Sequence, residues 1–260
     1  MKKTVGVIKS LGYALILLMG LAIPIYGKEQ EKIYIAVVID DFGNQMSGTE
    51  EIISLPIPIT GAVIPGMPYA SAEAKKLHDA GKEVILHIPL EAIRGKRSWL
   101  GPKGITVDMG KDKIKSILEE SIEEIPYAVG MNNHMGSLAM QSPKVVSTLM
   151  EFANEKGLYF VDSKTFDIKV AKQIAEEKHT PYIVRDVFLD NTPSTGYVME
   201  RLREALEIAR NQGYAIVIGH VGPQKGPHTA AALKQMINQM QAKNVEFVTI
   251  SELIHHLKVK

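Results

Sequence analysis

Residues 33–43 read IYIAVVIDDFG, an apolar run broken abruptly by Asp40 and Asp41 and closed by Gly43. A continuous β-branched run of this kind reads as a strand buried on both faces, as in parallel sheets. Two adjacent carboxylates at its end lose hydration and repel one another unless a cation lies between them or one stays protonated. The end of this strand is therefore the first candidate site. The blander reading is a turn in which Asp40 caps the chain before Gly43.

Outward from this run, short β-branched stretches alternate with helical patterns. The strand candidates are Ile33 to Ile39, Ile59 to Ile64, Glu83 to Ile88, Ala128 to Asn132, Leu158 to Val161, Tyr182 to Val187, Tyr214 to Gly219 and Glu246 to Thr249. Between them Ile114, Ile117, Leu118, Ile122 and Ile125 recur at helical spacing, as do Leu233, Met236, Ile237 and Met240. A further helix is predicted from a Ser142 cap and Pro143 in the first turn to a stop at Gly157, burying Val146, Leu149, Met150 and Ala153. Alternation of this sort predicts an α/β chain with parallel strands covered by helices, and eight strands in one series suggest a barrel. No repeat or low-complexity segment interrupts it. The Gly-rich stretch from Glu91 to Lys111 is too long for a simple connection and is predicted to lie over one mouth of the barrel. It carries the single tryptophan, Trp99, readable as a packing residue under the loop or as a surface on which a sugar stacks.

The chain of 260 residues is 45% hydrophobic and 23% charged, which permits a substantial core and excludes disorder, collagen and coiled coil. Its formal charge of +1 creates no field that would gather nucleic acid or an anionic membrane. Residues 1–27 stand apart from the fold: Lys2, Lys3 and Lys9 precede an apolar run from Leu11 to Ile25, the pattern of a secretory signal, with cleavage after Gly27 or retention as a membrane anchor. Its removal takes out three lysines and no acid, turning +1 into −2. Either way the remainder is expected outside the cytoplasm, in touch with a membrane only through that segment. There is no cysteine, so thiolate chemistry is excluded and a metal must be held by His, Asp, Glu or water.

In a parallel α/β barrel the reactive residues lie at the carboxyl ends of strands. After Asp40 and Asp41 those ends carry His87, then the cluster Asn132-Asn133-His134-Met135-Gly136-Ser137, then Asp162 and Ser163, Arg185-Asp186 with Asp190, and His220. A lone strand-end histidine is more often a hydrogen-bonded core residue, but His87 and His134 on neighbouring strands with Asp41 make one carboxylate and two imidazoles. That set suits Zn²⁺ or another divalent transition metal with positions left for water. His220 could act as a general acid and Asp40 as the base. Asp162, Arg185, Asp186 and Asp190 could orient these groups or simply form capping ion pairs. His78, His179, His255 and His256 fall on or beside helices and read as solvated surface, while His228 remains ambiguous.

These residues resemble the polysaccharide deacetylases, and more closely the divergent branch of exported proteins, over roughly Ile33 to Leu257. Ile39-Asp40-Asp41-Phe42-Gly43 is similar to the family's first motif, whose first Asp is the base and whose second binds metal. Ala80-Gly81-Lys82-Glu83-Val84-Ile85-Leu86 resembles the approach to its first metal histidine, here His87. Ile216-Val217-Ile218-Gly219-His220 resembles the strand bearing the acid histidine, and Val245 to Leu253 the closing strand and helix. Where the common family has a second histidine four residues after the first, this chain has Glu91. Its Arg-Pro-Pro-Tyr segment is absent, and the Asn132 to Ser137 cluster stands at about that place. The resemblance implies that His134 supplies the second imidazole, with Glu91 as the alternative ligand. It also implies a distorted parallel barrel of seven or eight strands and hydrolysis of an N-acetyl group on a cell-wall or other extracellular amino sugar. Backbone amides after Asp41 or Met67 are expected to help stabilise the oxyanion; Gly66, Met67, Pro68 and Tyr69 read equally as residues that shape the cleft or as a turn. Two other functions fit less of the pattern: an envelope protein that only binds glycan or a partner, and a phosphoesterase, for which there is no Gly-rich phosphate cradle or Arg cluster.

Overall fold

The computed structural model of the chain describes residues 32–259, which belong to one compact unit. The export segment expected at residues 1–27 lies outside the described residues. Nine strands are present among these: β1 (Ile33–Phe42), β2 (Thr60–Val63), β3 (Glu83–Leu90), β4 (Ala128–Met135), β5 (Tyr159–Asp162), β6 (Tyr182–Val184), β7 (Val187–Phe188), β8 (Tyr214–His220) and β9 (Val245–Val248). The helices are α1 (Thr49–Ile53), α2 (Ala70–Asp79), α3 (Lys111–Glu124), α4 (Pro143–Lys156), α5 (Lys169–Glu177), α6 (Thr195–Gln212), α7 (Gly226–Gln241) and α8 (Ile250–Leu257). All the strand pairings are parallel, and the sheet runs β6-β5-β4-β3-β2-β1-β8-β7, with β9 added alongside β1. This is the curled α/β barrel expected from the alternation.

Alternation along the strands builds two hydrophobic layers. Ile35, Val37 and Ile39 of β1 join Leu86, Met131, Phe160 and Val217 in the large cluster that also takes the buried faces of the helices. Ala36 and Val38 instead meet Ala62, Ile85, Val161, Ile216 and Ile218 in a second cluster inside the sheet's curl. At the amino end of that interior the Glu83 carboxylate accepts from Thr60 Oγ1, the Tyr159 hydroxyl and the amide of Ile250 at the start of α8. The helix N-terminus there complements the negative charge.

One expected strand is in fact two. The run Tyr182 to Val187 breaks at Arg185 and Asp186, whose amides bond Asp162 O on β5 and Ile216 O on β8 respectively. The chain thus steps from one end of the sheet to the other within a single peptide unit. The curl is closed by covalent continuity there, and β6 and β7 form the two ends of the ladder. The predicted caps of α4 are present: Ser142 accepts from the Val145 amide, and Gly157 ends the helix at φ 68°.

Candidate functional site

The interior face that begins with Ala36 and Val38 continues to Asp40, which is 2% exposed. The same alternation turns His87 inward after Ile85, and His220 after Ile216 and Ile218. On β4 the residues in register with His87 and Pro89 are Asn132 and His134. Asp40 and His220 are themselves direct cross-strand partners on β1 and β8. A cavity of about 230 Å³ at the carboxyl ends is lined by Asp40, Asp41, His87, His134 and His220 together with Lys225.

Asp41 reaches this cavity by breaking the alternation. In a regular strand it would face away from Asp40. Instead its φ is 71°, in the left-handed region, and the β1–β2 register shifts between Ile39 and Phe42. The irregularity brings both carboxylates to one site. The turn that follows is held by Glu73 of α2, which accepts from the amides of Gly43 and Gln45.

Three ligand-type atoms converge. Asp41 Oδ1 lies 3.3 Å from His87 Nε2 and 3.1 Å from His134 Nδ1, and the two nitrogens are 3.1 Å apart. Bonds of about 2.0–2.2 Å to a tetrahedral zinc would separate such atoms by about 3.3 Å, so the donor set and its spacing fit a divalent cation. Asp41 Oδ1 is also a buried oxygen that no donor is aligned to satisfy, a costly arrangement that a cation would relieve. Burial pushes the Asp41 carboxyl up, but His134 and His87 outweigh it and hold the group well below the ordinary range. Burial opposes the charged form of His87, yet Asp40 and Asp41 bring its pKa up to about 9. Asp40 is raised, chiefly by burial, with His87 and His220 pulling the other way.

His220 is held by Asp190: Nδ1 lies 2.8 Å from Asp190 Oδ1, and the His220 amide donates to Oδ2 at 2.7 Å. Thr229 of α7 donates to Oδ2 as well. Burial disfavours the charged imidazole, but the Asp190 hydrogen bond and charge raise its pKa.

Of the expected orienting groups, Asp190 alone bonds a residue of the cavity's ionisable set. Asp162 accepts from the Tyr182 hydroxyl and the Lys164 amide. Asp186 accepts from Ile216 N and Gln212 Nε2, which pins the step between β6 and β7. Arg185 donates to Ser163 O and lies 3.6 Å over the Phe188 ring, which in turn stacks on His220. Glu91, the alternative ligand, faces the loop instead: it accepts from Arg97 Nε and the Val107 amide and does not belong to the metal-type cluster. Of the amides after Asp41 and Met67 expected to help an oxyanion, those of Gly43 and Gln45 are engaged by Glu73, and those of Tyr69 and Ala70 by the carbonyls of Gly43 and Met67. Trp99 is 62% exposed, so it does not pack under its loop. His228 pairs with Thr195 Oγ1.

Asn132 is the residue that sequence reasoning passed over. It was visible only as part of a polar cluster, and its register opposite His87 was the missing signal. Its side chain lies 2.6 Å from His87 Nδ1 through Oδ1 and donates through Nδ2 to Asp40 Oδ1 at 2.8 Å. Asn133 binds the neighbouring loop, accepting from the Ser163 amide and donating to Thr165.

Comparison with known proteins places these residues in context. A family model described as divergent polysaccharide deacetylase matches residues 37–254. The Escherichia coli K12 protein YibQ, described as uncharacterized, is 31% identical over 225 residues, 86% of this chain and 68% of its own. Among solved structures, the uncharacterized protein ATU2773 of Agrobacterium tumefaciens C58 superposes with a TM-score of 0.79 at 21% identity, covering 86% of this chain and 90% of that one. The catalytic domain of a peptidoglycan N-acetylglucosamine deacetylase from Eubacterium rectale superposes at 0.55 and 14% identity, covering 85% and 90%. The last two establish likeness of fold.

Proposed function

Since the chain belongs to the divergent polysaccharide deacetylase family, we propose that it is a metal-dependent hydrolase that removes N-acetyl groups from an amino sugar outside the cytoplasm, in the cell wall or another extracellular glycan. The observation that carries this reading is the convergence of Asp41 Oδ1, His87 Nε2 and His134 Nδ1 beside Asp40 and His220 in one cavity. Asp41, His87 and His134 would hold the cation, for which zinc suits the donor set best. A bound divalent cation supplies a Lewis acid for the amide carbonyl and lowers the pKa of water toward neutrality.

The chain's own groups would manage the protons. Asp40, buried and with a raised pKa, is suited to accept one from the attacking water. His220, kept protonated to higher pH by Asp190, is suited to deliver one to the amide nitrogen, which leaves poorly without it. The cavity's about 230 Å³ is below the usual range for pockets that enclose a ligand. An acetamido group would enter it while the sugar ring would stay at the mouth. The apolar run from Leu11 to Ile25 after three lysines supports export.

The test combines metal analysis with acetate release from acetylated amino-sugar oligomers. Asp40→Asn should retain zinc and lose about 10²–10⁴-fold in turnover, whereas His87→Ala should lose zinc. A His87→Ala protein that binds zinc as tightly as the parent would show that the ligand set is wrong. A parent that binds zinc but releases no acetate from any acetylated glycan would favour an envelope protein that only binds.

A further inference from the structure

Building on that reading, we infer that Asn132 is a positioning residue that fixes which nitrogen of His87 faces the metal site, and that it ties this ligand to the base Asp40. Asn132 is fully buried on the interior face of β4, directly opposite His87 in register. Its amide has one carbonyl oxygen, which only accepts, and one NH₂ group, which only donates. Nδ2 lies 2.8 Å from Asp40 Oδ1, a carboxylate oxygen, so the NH₂ end must face Asp40. The reverse orientation would oppose two acceptors. The oxygen end is thereby committed to His87 Nδ1, 2.6 Å away. An oxygen there requires a hydrogen on Nδ1.

The consequence falls on the other nitrogen. With Nδ1 carrying the hydrogen, a neutral His87 presents a bare lone pair at Nε2, the atom that lies 3.3 Å from Asp41 Oδ1 and 3.1 Å from His134 Nδ1. The two histidines then contribute different nitrogens, Nε2 from His87 and Nδ1 from His134. Partners of a ligating imidazole generally fix its tautomer and ring angle, and their loss costs about 10–100-fold in metal affinity. Here the partner is an amide rather than a carboxylate. An amide can satisfy both His87 and Asp40 at once, because it donates on one side and accepts on the other. A carboxylate at position 132 would still accept from His87 but would set a second anion against Asp40.

That asymmetry supplies the test. Zinc dissociation constants would be measured by competition with a chromophoric chelator on the full chain. The parent would be compared with Asn132→Leu, which removes both contacts, and with Asn132→Asp, which keeps only the one to His87. The expected result is a 10–100-fold weakening in Asn132→Leu, with an altered visible spectrum when cobalt replaces zinc. Asn132→Asp should bind zinc within a few-fold of the parent yet remain impaired in acetate release, a split that lost packing alone would not produce. Nitrogen-15 spectra of the zinc-loaded parent test the tautomer without any variant: His87 should carry its hydrogen on Nδ1 and ligate through Nε2. Ligation of His87 through Nδ1, or parental zinc affinity in a folded Asn132→Leu, overturns the inference while leaving the metal centre intact. A parent that binds no divalent cation overturns both.

Discussion

Asp40 and Asp41 are neighbours in the chain, and a regular strand would send their side chains to opposite faces. They share one cavity because Asp41 takes a left-handed backbone at φ 71°. For a residue with a Cβ this costs roughly 1–2 kcal/mol, and the side chain it delivers has a buried oxygen without an aligned donor. Both penalties are tolerable if the position serves a ligand rather than the fold. Asp41→Gly and Asp41→Ala should therefore both lose zinc, but in metal-free protein the glycine variant should be the more stable by about 1 kcal/mol, since only alanine keeps the strained dihedral. Urea unfolding of the two apo variants decides it, and equal midpoints would mean that the backbone relaxes when the carboxylate goes. The identity of the residues was legible in the sequence, because acids and histidines stand out at the ends of apolar runs. The dihedral that lets two adjacent acids converge was not, since Asp-Asp before Phe-Gly carries no local signal for it. The pairing of Asn132 with His87 depends on strand register, which is set by packing across the sheet and not by the residues themselves.

At the scale of elements, the strand ends must be held in place by contacts that strand pairing alone does not supply. Asp190, following β7, accepts from His220 of β8 and from Thr229 of α7, so one buried carboxylate joins three segments. Burial opposes its ionisation, but His220 outweighs that and lowers its pKa, while Asp190 in turn raises that of His220. The depressed acid contributes stability above its unfolded pKa of about 3.9, lost as pH falls through its lower folded value. The raised base contributes stability that is full below about pH 6.5 and fades as pH rises through its higher folded value. The pair's contribution is therefore largest between about pH 4 and 6.5. Asp190→Asn should destabilise by about 3 kcal/mol in that window, since it leaves a buried charge unpaired, and by less at pH 9. Denaturation at pH 5.5 and pH 9 measures this, and a pH-independent loss would assign Asp190 a purely packing role. Helices of the outer layer were readable from their own chemistry, as the Ser142 cap and Gly157 stop of α4 illustrate. The division of Tyr182 to Val187 into β6 and β7 was not, because Arg185 and Asp186 bond backbone groups on two different strands that are remote in sequence.

For the molecule as a whole, the proposed cation would join the carboxyl ends of β1, β3 and β4, which without it are tied by the strand pairings, by Asn132 between His87 and Asp40, and by the charges of Asp40 and Asp41 around His87. At the opposite end of the curl Glu83 already has Thr60, Tyr159 and the α8 amides to satisfy it. At the carboxyl end Asn132 and Asp190 are likewise bonded, but Asp41 Oδ1 has no aligned donor, so a ligand that binds there only in the folded chain should stabilise it measurably. At free zinc 100-fold above the dissociation constant the gain is about 2.7 kcal/mol. For a chain of this size that corresponds to a rise of roughly 5–10 °C in Tm. The rise should depend on pH in a defined direction. Without metal, His87 retains its proton up to about pH 9 through the charges of Asp40 and Asp41, against the effect of burial. Zinc must displace that proton, so at fixed free zinc the shift should grow from pH 6 toward pH 9. Calorimetry with chelator and with buffered zinc checks both the size and the slope. His87→Ala should show neither. An equal shift in that variant would mean that zinc stabilises the protein somewhere other than the cluster of Asp41, His87 and His134.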